Sequence, residues 1–357
     1  MRRTQVTLDL AALRHNLQRL RQVAPKSRVM AAIKANGYGH GLERVARTLT
    51  DIDALGVACL EEALSLREAG ITTPITLLEG FFHLDELPLI AQHRLDLVIH
   101  HEQQIAVLEQ QTLQSTLRVW LKVDTGMHRL GVPAQMARPL WQRLAAIPSL
   151  EVVGLMTHLA NADDLNDPAT EHQLTLFQEC CGGLPGFRTI ANSAGLLGWP
   201  QSHAEWNRPG ISLYGVSPFM GGRAEQHGLR PVMTLRSELI AVNWLKQGDA
   251  VGYGGSWRCP EDMAVGVVAV GYGDGYPRHA PSGTPVLLNG QRVPLVGRVS
   301  MDMVTVDLRT QPQARTGDEV VLWGEGLPVE EIAEHAGTIP YELLCGVTGR
   351  VRIVERG

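Results

Sequence analysis

Short apolar runs punctuate the first two thirds of the chain, at residues 29–33, 55–58, 75–78, 95–99, 117–123, 152–156, 189–191 and 211–214. Runs of this length, apolar without strict alternation, read as strands buried on both faces, as in a parallel sheet. Between most of them apolar residues return every three or four positions, predicting helices over 61–69, 84–92, 102–110, 134–146 and 169–180. Eight strands alternating with helices over about 215 residues predict an α/β fold, a TIM (β/α)8 barrel. An open doubly wound sheet is the rival. Its Gly-x-Gly-x-x-Gly turn is missing from the first strand–helix junction, where Gly37, Gly39 and Gly41 are spaced differently.

Ahead of this series, residues 5–8 form a short strand and Asp9 is placed to cap a helix. Leu10, Leu13, Leu17 and Leu20 give that helix one apolar stripe, and Pro25 ends it. After Pro231 the texture changes. Segments 238–242, 264–270, 284–288, 293–296, 299–306 and 319–323 are β-rich and separated by turn residues, including Asn289-Gly290. Residues 329–336 are the one helical stretch expected there. The expected organisation is a barrel domain over 1–230 and a mainly β-strand domain over 231–357. The first strand, about 4–8, is a candidate to pair with the second domain.

Bulk properties narrow the function. The 357 residues are 44% apolar and 19% charged, with a formal charge of −5, so no basic field suggests a nucleic-acid partner. The segment Met1-Arg2-Arg3 is not followed by an apolar stretch of signal-peptide type, and no apolar run is long enough to cross a bilayer. Five cysteines without Cys-x-x-Cys spacing suggest neither a disulfide framework nor a metal site. A cytoplasmic, globular protein without a membrane partner is expected.

In a barrel the chemistry gathers at the C-terminal ends of the strands. Lys34 ends the first strand, Lys122 and Asp124 the fifth, Thr157-His158 the sixth and Asn192-Ser193 the seventh. Arg208-Pro209-Gly210 opens the expected eighth, and Tyr214 closes it. Taken singly, His158 reads as a satisfied buried histidine, Arg129 as a surface charge and Ser193 as a helix cap. Their convergence on one rim points to a site. A strand-end lysine suits condensation with an aldehyde. Pyridoxal phosphate is such an aldehyde. It needs a phosphate cradle, which Asn192-Ser193-Ala194-Gly195 and Pro209-Gly210-Ile211 can supply, and a partner for its pyridine nitrogen, where Arg208 is available.

Along its whole length the chain resembles the alanine racemase family. The barrel segments that carry the resemblance are Ala32-Ile33-Lys34-Ala35-Asn36-Gly37-Tyr38-Gly39-His40-Gly41, the run from Lys122 to Gly131, and Arg208-Pro209-Gly210-Ile211. In the second domain they are Val251-Gly252-Tyr253-Gly254-Gly255, the run from Gly271 to Arg278, and Val299-Ser300-Met301-Asp302-Met303. The resemblance implies a homodimeric, pyridoxal 5'-phosphate-dependent enzyme that interconverts L-alanine and D-alanine and supplies D-alanine for peptidoglycan. It implies Lys34 as cofactor lysine and one base, and Tyr253, lent by the other subunit, as the second base. It places Tyr38, His158, Asn192, Ser193, Arg208, Gly210, Ile211 and Tyr341 around the cofactor, and Arg129 and Met301 at the substrate carboxylate. Lys122 matches a position carbamylated to N6-carboxylysine in relatives. Asp163, Tyr272, Arg278 and Arg298 match the substrate entrance. The alternatives are a broader-specificity racemase, a decarboxylase of the same plan or a non-catalytic pyridoxal-phosphate carrier. Barrel-only carriers have no second domain, and the Tyr253 segment would serve no purpose in one.

Overall fold

The computed structural model describes residues 3–111 and 115–357. The chain divides into two compact units. One comprises Leu17–Leu213 with Pro218–Met220; the other joins the segment ending at Asn16 to Tyr214–Ser217 and Gly221–Gly357. The strand that opens the chain, β1 (Gln5–Asp9), belongs to the second of these, and Asp9 caps the following helix by accepting from Ala12 N–H at 2.8 Å.

The first unit is a closed parallel barrel. Its strands are β2 (Arg28–Ala32), β3 (Ala54–Val57), β4 (Ile75–Leu77), β5 (Asp96–Ile99) and β6 (Leu117–Asp124), with a two-residue addition, β7 (Val132–Pro133), paired to β6. β8 (Leu150–Met156), β9 (Phe187–Thr189) and β10 (Trp206–Asn207) complete it, and β10 pairs back onto β2. The interior is filled by Met30, Ala54, Val98, Trp120, Val153, Met156 and Trp206, all buried. Trp120 and Trp206 meet edge-to-face at 6.2 Å, an arrangement their ring quadrupoles favour. The barrel is a packed plug below and a rim of strand ends above.

One strand lies elsewhere than the pattern predicts. Residues Ile211–Tyr214 form a 3-10 turn, and the eighth strand is the two-residue β10 just before it. Pro209 explains the difference: it has no N–H for the ladder, so the strand stops ahead of it. Ile-Ser-Leu-Tyr alternates as a strand would, yet all four residues are buried. Arg208 therefore follows the last strand instead of opening it, at the same rim as the other strand ends. Two expected helices also begin as 3-10 turns, at Leu84–Glu86 and Ala134–Met136.

The second unit is antiparallel and closed. The long β11 (Met233–Leu245) pairs with Glu319–Trp323 along one edge and with Met263–Val268 along the other. The strands Pro285–Leu288, Gln291–Val296 and Val304–Asp307 complete the ring. β1 adds antiparallel to β11 and parallel to Arg352–Arg356. Asn289 and Gly290 have φ of 51° and 78° between paired strands, the left-handed pair that a tight hairpin needs. A second helix, Pro340–Cys345, accompanies Val329–Ala336; six residues with one turn of pattern gave no periodic signal. No helix among the described residues is long and apolar enough to cross a membrane.

Candidate active site

Lys34 leaves β2 and enters a turn wound the unusual way. Ala35, Asn36, Gly37 and Tyr38 have φ of 54°, 54°, 63° and 52°, a left-handed stretch in which three residues carry side chains. Each such residue costs roughly 1–2 kcal/mol, so the turn persists only because its surroundings hold it. Glu62 does part of this, accepting from Ala35 N–H at 2.7 Å and Ala58 N–H at 2.8 Å. Asn36 Oδ1 accepts from Leu42 N–H at 2.9 Å, and the His40 ring nitrogen Nδ1 lies 2.8 Å from Tyr38 O. Burial pushes His40 down to about 4, so its ring is neutral and Nδ1–H donates to that carbonyl. The result is a lysine half-buried at the barrel mouth and a Tyr38 ring folded inward.

Arg208 is buried across from it. Its Nη1 donates to Thr189 Oγ1 at 2.6 Å, and its Nη2 donates to Thr157 O at 2.6 Å and Ile190 O at 3.1 Å. Burial pushes the guanidinium down to about 10, still charged at neutral pH. Nη2 also lies 3.4 Å from His158 Nδ1. His158 is held well below the ordinary histidine value, by burial first and then by Arg208, Lys122, Arg129 and Lys34. A neutral ring whose Nδ1 accepts carries its hydrogen on Nε2, so His158 presents a donor. Its backbone is fixed by Gln173, which donates to His158 O at 3.0 Å, and by the Thr125–Thr157 hydroxyl pair at 2.8 Å.

Lys122 is also buried, and no ion pair or hydrogen bond reaches its ammonium among the described residues. Burial, then the cations Arg208, Arg129 and Lys34, push it down to about 8, with Glu79 acting in the opposite direction. Arg129 is exposed on the loop after β6, whose turn Asp124 closes by accepting from Gly126 N–H at 2.9 Å and His128 N–H at 3.0 Å. Sequence reasoning passed over Glu79, whose Oε1 lies 4.0 Å from Lys34 Nζ. The signal was present: Glu79 follows β4 and obeys the same strand-end rule that singled out the others.

The candidate phosphate cradle lies where β9 and β10 end. Asn192 caps the short helix Ser193–Gly198 by accepting from Gly195 N–H at 2.9 Å. Ser193 Oγ accepts from Gly210 N–H at 2.9 Å and Ser212 N–H at 3.3 Å. Gly210 has no room for a side chain, since a Cβ there would lie 2.4 Å from the Tyr38 hydroxyl. Tyr38, Ser193, Gly210 and the adjoining Ile211 thus form one concave wall. Two donors in this wall have no hydrogen-bond partner among the described residues: the buried Ser212 hydroxyl and the Arg208 Nε. One suits a phosphate oxygen and the other a pyridine nitrogen, so the residues present fit pyridoxal 5'-phosphate. Asp163 lies half-buried on the loop that follows β8.

The remaining expected residues belong to the second unit. Tyr253 is 68% exposed on a 3-10 turn, Tyr253–Gly255. Arg298 lies against that turn: its Nη1 is 3.4 Å from where a Cβ on Gly254 would stand. Tyr272 N–H donates to Ser300 O at 3.1 Å and Gly273 N–H to Met301 O at 2.9 Å, which pins the exposed Met301 loop to the Tyr272 turn. Arg278 is exposed, and Tyr341 lies in the helix Pro340–Cys345. Tyr253 with Arg298, and Tyr272 with Met301, are therefore two local pairs on one unit.

Comparison with known proteins covers both units. Residues 8–218 match the profile described as alanine racemase, N-terminal domain, and residues 232–355 the one described as alanine racemase, C-terminal domain. The chain is 56% identical over 349 residues to an alanine racemase of Nitrosococcus oceani, covering 97% of this chain and 98% of the relative. It is 55% identical over 353 residues to the biosynthetic alanine racemase of Escherichia coli O6:H1, covering 98% of each. The crystal structure of biosynthetic alanine racemase from Pseudomonas aeruginosa superposes with a TM-score of 0.98 at 45% identity, over 100% of both chains.

The neutral His40 ties stability to pH. It takes up its proton near 4 in the fold, against about 6.5 in an unfolded chain. Between those values the unfolded chain binds more protons, so this contribution is complete above about 6.5 and lost as pH falls toward 4. Its size is on the order of 3 kcal/mol. Urea midpoints of the native protein and of His40→Gln should therefore converge as pH is lowered from 7 to 4. A gap that stays constant across that range would contradict the buried, neutral ring.

Proposed function

The chain belongs to the alanine racemase family, and we propose that it interconverts L- and D-alanine with two bases, Lys34 and Tyr253 of the partner subunit, on opposite faces of the substrate Cα. The carrying observation is the rim itself: one amine, a buried guanidinium with an unpartnered Nε, and a neutral histidine converge at strand ends of one barrel. The family is pyridoxal-phosphate-dependent, and that cofactor, when bound, delocalises the electrons left on Cα when its proton departs.

Each residue then has a task. Lys34 would hold the cofactor through its amine, and its Nζ would move a proton on one face of Cα. Tyr38, Ser193, Gly210 and Ile211, with Tyr341, hold the phosphate, and Asn192 fixes the Ser193 helix that frames it. Arg208, through its Nε, would hold the pyridine nitrogen. An arginine stays protonated and only donates, so Arg208 would offer that nitrogen a hydrogen bond and no proton. A tyrosine is a useful base only when its phenolate is stabilised, since the hydroxyl ordinarily ionises near 10. The Nε2–H of His158, set by its contact with Arg208, supplies such a donor. Arg129 and the Met301 backbone receive the substrate carboxylate, and Asp163, Tyr272, Arg278 and Arg298 line the approach.

Shared residues require a homodimer. The likeness to the biosynthetic alanine racemase of E. coli supports the same role here, D-alanine made in the cytoplasm for peptidoglycan. Lys122 fits the carbamylated lysine of relatives. A buried amine pushed down to about 8 by neighbouring cations is partly neutral near physiological pH. The ammonium first sheds one proton to solvent; the freed lone pair then attacks carbon dioxide, a C=O bond opens onto oxygen as the N–C bond forms, and a second proton leaves, so that a cation among cations becomes an anion facing Arg129.

Two measurements check this reading. Purified protein with added cofactor should abolish the optical rotation of L-alanine, and Lys34→Ala should lose at least 1,000-fold of that rate, roughly 4 kcal/mol of transition-state stabilisation. Retained rotation with native protein would refute the assignment. Protein equilibrated with carbon-13 bicarbonate should show one carbamate resonance, lost in Lys122→Ala. A spectrum without that resonance would leave Lys122 unmodified.

A further inference from the structure

We propose that the second unit carries a further ligand site, built on Glu330, for a small aliphatic ammonium compound. A cavity of about 280 Å³ opens there, walled by Tyr214, Val216, Leu229, Met233 and Leu344, with Glu330 in its lining. The walls are mostly apolar, though Glu225, Arg230 and Glu325 also reach the lining, and Glu330 is only 5% exposed. Its two oxygens are used unequally. Oε1 accepts from Ser217 N–H at 2.9 Å and Ala224 N–H at 3.1 Å. Oε2 accepts no hydrogen bond from the described residues.

Holding those two backbone N–H groups takes one neutral oxygen, which a glutamine would supply as well. A carboxylate goes beyond that need, and its charge, set beside a mostly apolar cavity, is favoured by an opposite charge standing there. The nearby Arg223 does not provide the partner: its guanidinium is committed to Glu334 through Nη1 at 2.6 Å and Nη2 at 2.8 Å. Burial raises the Glu330 carboxyl, against the smaller opposing pull of the backbone N–H groups and of Arg223. A protonated carboxyl would not resolve the matter, because its O–H would in turn lack an acceptor. An N–H cation standing in the cavity would satisfy Oε2, while a short alkyl body would cover the aliphatic and aromatic walls. The volume suits a ligand of a few heavy atoms, at or below the lower end of ordinary small-molecule pockets.

N,N-dimethylpropylammonium is a suitable probe: as a tertiary amine it offers one N–H donor and cannot condense with an aldehyde at the other site. Calorimetry on the cofactor-loaded protein should show saturable binding that pentan-1-ol, of similar size and uncharged, does not reproduce. Glu330→Gln keeps the acceptor for Ser217 and Ala224, and should weaken binding roughly 10- to 100-fold. Crystals of the native protein soaked in the probe should place its nitrogen within hydrogen-bond reach of Glu330 Oε2, a result that stands even where the variant fails to fold. Equal affinity of native protein and variant, or a cavity left empty at saturating probe, would overturn the proposal.

Discussion

Arg208 is buried with its charge intact, held by the carbonyls of Thr157 and Ile190 and the hydroxyl of Thr189. Those three acceptors come from the ends of β8 and β9, so one guanidinium ties neighbouring strands of the barrel together at the rim. Replacing it would leave buried carbonyls without donors, a loss that typically exceeds the value of the hydrogen bonds themselves. The same charge acts outward. It contributes to holding His158 neutral and to pushing Lys122 down to about 8. Burial is the larger cause of both shifts, and Arg208, placed just after the two-residue β10, is the leading charge in each.

Opposite Arg208, the left-handed turn after Lys34 shows where the fold accepts local cost. Three side-chain-bearing residues sit in a conformation that glycine would adopt more cheaply. Glu62, Asn36 and the neutral His40 hold them there. The turn brings Tyr38 inward until its hydroxyl occupies the space a side chain on Gly210 would need. Strain in the turn after Lys34 and tightness at Gly210 meet in the Tyr38 side chain, and together they shape the wall that fits a phosphate.

The barrel was legible because its strands are buried on both faces and its helices carry a 3.6-residue stripe. The strand-end rule then collected Lys34, Lys122, His158 and Ser193 without any knowledge of distances, whereas Arg208 was expected to open a strand and in fact follows one. It erred at Ile211–Tyr214, where alternation imitates a strand although Pro209 has already ended the ladder. The left-handed φ of Ala35 and Tyr38 had no local signal, whereas Asn36 and Gly37 are residues that enter this region readily. Glu79 was passed over for attention to the cations, although its position obeys the same rule. The Arg208–His158 contact, and hence the tautomer of His158, depends on side-chain geometry that no spacing encodes.

The account rests on two bases serving two faces, and proton exchange tests that most directly. In deuterium oxide, with Lys34 intact, Tyr253→Phe should exchange the α-hydrogen of one alanine enantiomer while retaining its configuration, and the other enantiomer should not accumulate. Racemisation by Tyr253→Phe at the native rate would mean that a single base reaches both faces, and would contradict the assignment of Tyr253.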